Sequence, residues 1–420
     1  MDTFEKVIGY DDIKEELLKI ADMFKNPEKY KEIGAFIPKG VILSGKPGMG
    51  KSLIASEFAE ICGCRSITLR KTRRAGNFIE RINNTFYEAK RMAPYVIILD
   101  DLDKFISDEN SREEYYTVQG CIDEVADKDV LVVATVNCVE DMPESLLREG
   151  RFDYHFSLDE LPDGVSEKIV LKNLEQLKLE ETNLKTEDIL MLFKKSSPAK
   201  IITVLNNCKI SMTYCNEDTL LRNILIDEFI KNEGIGYDLT LSNKNELRKV
   251  IAFHEAGHLV VTEMMQPGSV RLASVNIQEG RVKGMVYGNP RYEIYKSGKK
   301  EVCEALAGMA AEEQKFGLIS DGSVNDIIDV NCCLEADIQL GKYGLDIAIA
   351  GLNDAKPASD KIHKQIEAEK KRLYLLTKKA LVDNWDFVEE VAQKLIECET
   401  LMYSDIQEIK KKYCLSEIFV

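Results

Sequence analysis

Gly45-Lys46-Pro47-Gly48-Met49-Gly50-Lys51-Ser52 is the stretch on which the reading of the fold turns. Before it stand a turn, Pro38-Lys39-Gly40, and a short apolar run, Val41-Ile42-Leu43-Ser44. After it comes a helical pattern over Leu53–Ala59. Strand, then G-x-x-x-x-G-K-S, then helix is the context in which this spacing makes a phosphate cradle. The glycines let backbone N–H groups turn inward around phosphate oxygens, and the helix aims its N-terminus at the anion. In such a loop Lys51 reaches the β- and γ-phosphates and Ser52 offers a hydroxyl to magnesium. Gly45 to Ser52, with Leu53 behind them, form the expected binding loop for ATP and Mg²⁺.

Two further apolar runs extend the pattern. Tyr95-Val96-Ile97-Ile98-Leu99 ends in Asp100-Asp101, the Walker B arrangement. Asp100 is expected to hold magnesium through water, and Asp101 to orient the attacking water. Val130-Leu131-Val132-Val133-Ala134-Thr135 leads to Asn137, a polar residue placed to sense the γ-phosphate. Strands alternating with helices predict a parallel, doubly wound sheet with its ligand at the strand carboxyl ends.

A second motif lies far along the chain. Phe253-His254-Glu255-Ala256-Gly257-His258 sits between Val250-Ile251-Ala252 and Leu259-Val260-Val261. Residues four apart share a helix face, so His254 and His258 can hold one zinc ion. Glu255 can then act as general base on a water whose pKa zinc lowers to roughly 7. The plainer alternative is a helix with two histidines and a charge between them. The chain holds only four histidines, and two fall here. His155 and His363 read as ordinary surface residues.

The 420 residues exceed one core, so two or three domains are expected. A net charge of −16 argues against nucleic acid or an anionic membrane as main partner. Eleven cysteines, an odd number without metal-site spacing, fit a reducing compartment better than a disulfide framework. No run of about 18 apolar residues occurs, so no direct membrane insertion is expected.

Taken together, the phosphate loop, the Walker B strand, Asn137 and Leu146-Leu147-Arg148-Glu149-Gly150-Arg151-Phe152-Asp153 resemble an AAA+ ATPase. An AAA+ module followed by His-Glu-Ala-Gly-His resembles the FtsH-type ATP-dependent zinc metalloproteases. The likeness takes in nearly the whole chain, from Phe4-Glu5-Lys6-Val7-Ile8-Gly9 to Glu397-Cys398-Glu399-Thr400-Leu401. It implies an α/β AAA+ domain, a parallel sheet flanked by helices, over 1–160. A helical lid over 161–236 and a mostly α-helical zinc metallopeptidase domain over 237–420 follow, with a linker near Gly234–Asp238. It also implies a homo-hexamer acting on polypeptide substrates, with Arg148 and Arg151 reaching the neighbouring subunit's nucleotide. By composition alone these two arginines could equally form a surface ion-pair face. Ile8 and Gly9 match the adenine-contacting stretch. The family's Ser-Asn-Asp segment aligns with Asn325-Asp326-Ile327, which makes Asp326 the implied third zinc ligand. Asp326 could instead cap a helix over Ile327–Gln339, with Asp321 as the fallback ligand. Leu306 to Glu313 resembles the family's Leu-x-Gly-Arg-x-Ala-Glu-Glu helix, with Met309 in place of the arginine.

The departures matter for mechanism. Asp101 stands where the family has glutamate, and a catalytic group displaced by about 1 Å can cost on the order of 10²-fold. Arg74-Ala75-Gly76 aligns without gaps on the pore loop that normally carries an aromatic, while a gapped alignment offers Phe78-Ile79. Strands are expected over Val270–Gln278 and Val282–Tyr287 around Glu279-Gly280, with Lys283–Tyr287 as the edge that receives substrate backbone. Ser359 to Tyr413 reads as helical, with Trp385 in the core. Relatives of this type begin with transmembrane helices, whereas the module here starts near Met1, so a soluble, cytoplasmic protein is expected.

Overall fold

A strand buried along its whole length needs cover on both faces, and Val130–Val136 is one. The computed structural model describes residues 4–71, 78–105, 113–148, 150–179, 183–233, 244–278, 281–288, 298–339 and 356–415. They gather into two units, Met1–Lys178 with Lys195–Cys215, and Leu179–Lys194 with Asn216–Val420.

In the first unit, α1 (Asp11–Lys25) and the short α2 (Pro27–Lys31) precede β1 (Gly40–Ser44) and α3 (Lys51–Ile61). Then follow β2 (Arg65–Arg70), α4 (Phe78–Arg91), β3 (Tyr95–Asp100), α5 (Glu113–Glu124), β4 (Val130–Val136) and β5 (Tyr154–Ser157). The sheet runs β2-β3-β4-β1-β5, and each described pairing is parallel. Alternate side chains go to opposite faces. Ile97, Leu99, Val132 and Ala134 pack with Ile82 and Phe86 of α4 and Val118 of α5. Val96, Ile98, Leu131 and Val133 pack with Leu17 and Ile20 of α1 and Ile54 and Phe58 of α3. This strand order sets β3, β4 and β1 side by side, so their carboxyl ends converge. The sequence pattern marks neither β2 nor β5 as a strand. Both lie at the sheet's edges, where Arg65, Ser66, Thr68 and Arg70, or His155 and Ser157, break the apolar pattern.

Four helices follow: α6 (Val165–Leu174), α7 (Thr186–Leu192), α8 (Pro198–Cys215) and α9 (Arg222–Glu233). Of these, α6 and α8 belong to the first unit and α7 and α9 to the second. Ser404 ties α7 down, donating its N–H and hydroxyl to Asp188 at 2.8 and 2.9 Å.

The second unit is built around α10 (Lys244–Met265). With it come β6 (Val270–Gln278), β7 (Arg281–Gly288), α11 (Gly298–Phe316), α12 (Val324–Gln339), α13 (Lys356–Asp383) and α14 (Trp385–Cys398), then β8 (Thr400–Met402) and α15 (Tyr403–Lys410). Ala256, Leu259 and Val260 of α10 bury against Ala307 and Ala310 of α11 and Val388 and Val391 of α14. Trp385 stacks on Phe253 with ring centroids 6.1 Å apart. The antiparallel sheet runs β7-β6-β8, which leaves β7 on an edge. β8 corrects the expectation of continuous helix to Tyr413. Three residues are too few to show a period, and Thr400–Met402 become a strand because β6 offers them a partner. Among the described residues no helix is long and apolar enough to cross a membrane.

Candidate metal centre and nucleotide site

One turn of α10 separates His254 from His258, and their Nε2 atoms lie 2.9 Å apart. Each ring is held by its other nitrogen. His254 Nδ1 donates to Glu312 Oε1 at 2.7 Å, and His258 Nδ1 donates to the Glu304 carbonyl at 2.7 Å. Both anchors are on α11, so both Nε2 lone pairs face one space. α11 comes this close because α10 carries glycine at the crossing. A Cβ on Gly257 would stand 2.4 Å from the Ala307 carbonyl oxygen.

Asp326 enters from α12. That helix begins at Val324, so Asp326 lies in its first turn and does not cap it from outside. Its Oδ2 is 3.2 Å from His254 Nε2 and 3.7 Å from His258 Nε2, yet it is buried without a hydrogen bond. Ligand atoms of His254, His258 and Asp326 lie within 4.8 Å of one another. Two imidazole nitrogens and an orphaned carboxylate oxygen are a donor set that fits zinc. The side chain of Asp321 lies outside the described residues.

The electrostatics agree. Burial would lower the His254 pKa, but Asp326 and Glu312 outweigh it and bring it to about 10. Burial would raise the Asp326 pKa, and the two imidazoles reverse that, holding the carboxylate ionised. The site therefore draws positive charge, which a dication would supply. Glu255 is buried next to the first histidine, and burial pushes its pKa up against the pull of both imidazoles. β7 lies against this carboxylate. A Cβ on Gly284 would come within 2.2 Å of Glu255 Oε1.

At the converging ends of β1, β3 and β4, Lys51 Nζ donates to the Gly45 carbonyl, to the Lys46 carbonyl at 3.0 Å and to Asn137 Oδ1 at 3.0 Å. Ser52 Oγ donates to Asp100 Oδ1 at 2.7 Å. Gly45, Gly48 and Gly50 all take positive φ, as a loop turning its N–H groups inward requires. These groups fit a nucleotide with magnesium: a buried ammonium, a hydroxyl beside a carboxylate, and a glycine cradle. Lys46 and Pro47 are exposed, Met49 is buried, and Leu53 faces outward on α3. Tyr10 donates its hydroxyl to the Met49 carbonyl at 3.4 Å, which brings the Ile8–Gly9 stretch to the loop.

Other expected residues are occupied differently. Asp101, at positive φ, is bound to Arg70 at 2.6 Å and to Lys104 at 3.0 Å. Burial would raise its pKa, and these two cations hold it low. Arg151 makes a two-pronged ion pair with Asp123, both contacts at 2.8 Å, and donates to the Ser145 carbonyl. Arg148 is exposed. Arg74-Ala75-Gly76 lies outside the described residues. The alternative aromatic, Phe78, is buried with its ring 4.9 Å from Phe105, so it is no surface group. His155 is exposed, as expected of a surface residue, with its Nε2 2.8 Å from Ser44 Oγ. The side chain of His363 lies outside the described residues.

A phosphate-loop module and a candidate metal centre on a His-Glu-x-x-His helix, in one chain, set the class of protein to compare. Residues 41–160 match the ATPase family associated with various cellular activities, and residues 241–409 match peptidase family M41. The ATP-dependent zinc metalloprotease FtsH of Leptotrichia buccalis is 28% identical over 443 residues, covering 97% of this chain and 56% of the relative. FtsH of Aster yellows witches'-broom phytoplasma is 29% identical over 435 residues, covering 97% and 64%. FtsH of Bacillus subtilis is 28% identical over 450 residues, covering 97% and 69%. The chain is thus similar over nearly its whole length to FtsH-type proteins, with residues that match the AAA family followed by residues that match family M41. It spans less than two thirds of the length of each of the first two of these relatives.

Sequence reasoning missed Glu304, Gly308, Glu312 and Arg70. Glu312 accepts from Ser320 N–H and Oγ as well as from His254, which ties the loop leading to Asp326 to the first ligand. The signal lies in Leu306–Glu313, whose likeness to the family helix includes Glu312.

Proposed function

We propose that this chain is an ATP-dependent zinc endopeptidase that degrades polypeptides fed to it by a hexameric AAA+ ring in the cytoplasm. The observation that carries the reading is the meeting of His254, His258 and Asp326 beside the buried Glu255. His254, His258 and Asp326 would hold zinc, which when bound polarises the scissile carbonyl and acidifies water. Glu255, buried and with a raised pKa, is suited to take up a proton and pass it to the leaving amine. The outer edge of β7, without a partner strand among the described residues, offers backbone N–H and C=O groups to an extended polypeptide. Its approach at Gly284 brings that edge to the carboxylate that moves the proton. In the other unit, Lys51 and the Gly45–Ser52 loop would bind ATP phosphates, and Ser52 and Asp100 would hold magnesium. Asp101 and Asn137 would place the attacking water, Ile8 and Gly9 would contact adenine, and Arg148 and Arg151 would serve the neighbouring subunit. Domain limits of 1–160, 161–236 and 237–420 go with this reading.

A second reading keeps the peptidase and reduces the ATPase to nucleotide-gated assembly. It is favoured by Asp101, which is shorter than glutamate and already bound by Arg70 and Lys104. Degradation of casein by the zinc-loaded protein tests the first point, and cleavage that survives Glu255→Gln would sink the mechanism. Equal degradation with ATP, with a non-hydrolysable analogue and after Asp101→Asn would leave only the gated peptidase.

A further inference from the structure

Along α11, Glu304, Gly308 and Glu312 fall four residues apart and therefore on one face. The outer two grip the imidazoles, Glu304 through its carbonyl and Glu312 through its carboxylate. Gly308 lies between them. A Cβ at this position would stand 2.5 Å from His254 Nε2, 2.5 Å from His254 Cε1 and 2.6 Å from His258 Nε2. Zinc sits about 2.0–2.1 Å from an imidazole nitrogen. A carbon so near both nitrogens intrudes on the space that an ion shared between them needs.

The glycine has no backbone reason to be there. It is not among the positive-φ glycines, and α11 is otherwise furnished with alanines at 305, 307, 310 and 311. Glycine in a helix interior is disfavoured relative to alanine, so the helix alone would prefer a methyl group. Nor can the rings back away. Each is tied through Nδ1 to α11 itself, and the Gly257 crossing leaves no slack between the helices.

We propose that Gly308 is a positioning residue that keeps the metal space open, so that the α11 backbone forms one wall of the centre. The proposal rests on the zinc reading above and adds a residue to it. Full-length protein and its Gly308→Ala variant are compared for zinc content after dialysis and for zinc affinity against a chromophoric chelator. Circular dichroism reports the fold, and Met309→Ala, one position along the same helix, is the control. The unaltered protein and Met309→Ala are expected to bind one zinc per chain, and Gly308→Ala at least a hundredfold more weakly with unchanged helicity. Zinc bound by Gly308→Ala within a few-fold of the unaltered protein overturns the inference and leaves the peptidase reading standing. Failure of the unaltered protein to bind zinc overturns both. Should Gly308→Ala not fold, the triple variant with His254→Ala and His258→Ala removes the two rings it strikes. That variant is expected to regain the helical spectrum, and its failure to do so overturns the steric argument.

Discussion

Glu312→Gln preserves the size of a buried side chain and removes its charge. In the native site Oε1 accepts from His254 Nδ1 at 2.7 Å and from Ser320 Oγ at 2.9 Å, while Oε2 accepts from Ser320 N–H at 2.6 Å. An amide has one acceptor oxygen. Its NH₂ must therefore face either the imidazole N–H or the Ser320 N–H, donor against donor. A hydrogen bond to a charged acceptor contributes about 1.5–3 kcal/mol, and 1.4 kcal/mol is a factor of ten in affinity. If the imidazole loses its acceptor, zinc affinity falls about 10–100-fold, the range typical of such outer partners. The residue is only 1% exposed, so the unpaired donor also lowers folding stability by about 1–3 kcal/mol. Chelator competition at fixed pH reads the affinity, and thermal melting of the metal-free protein reads the stability. Zinc affinity within twofold of the unaltered protein, with no change in melting, would refute the claim that Glu312 orients His254.

Three more outcomes follow from the same geometry. Zinc takes neutral imidazole, whereas metal-free His254 is held at a pKa of about 10 by Asp326 and Glu312 against its burial. Binding below that pH must expel a proton, so affinity should rise about tenfold per pH unit near neutrality. Zinc added to weakly buffered protein should release about one proton per ion from this site, and no release would contradict the assignment. Gly284→Val should press on Glu255 and lower kcat/KM at least tenfold with zinc content unchanged; full activity would show that β7 need not approach the carboxylate. Arg148→Ala and Arg151→Ala should each reduce ATPase in the assembled protein, and Arg151→Ala should also lower the melting temperature by a few degrees through loss of its ties to Asp123 and Ser145. Full ATPase in either variant would contradict that arginine's role at the neighbouring nucleotide.

Local spacing carried much of this protein on its own. A helix repeats every 3.6 residues, so His254 and His258 share a face whatever surrounds them. A glycine loop between a strand and a helix is likewise a local device, and the apolar runs at Val96–Leu99 and Val130–Val136 declared covered strands. Less was legible where a residue's role depends on a partner far along the chain. β2 and β5 are edge strands whose mixed side chains hide their period, and β8 is a strand only because β6 accepts it. Pattern alone could not show the ion pair that Arg151 makes, because Asp123 stands on α5, 28 residues away in the chain. Tertiary packing also decided that Asp326 points its unbonded oxygen at two histidines, that Glu312 holds the first of them, and that Gly308 faces both. The reason is physical: one helix sets the direction of its own side chains, but only the crossing of α10 with α11, and the entry of α12, sets what those side chains meet.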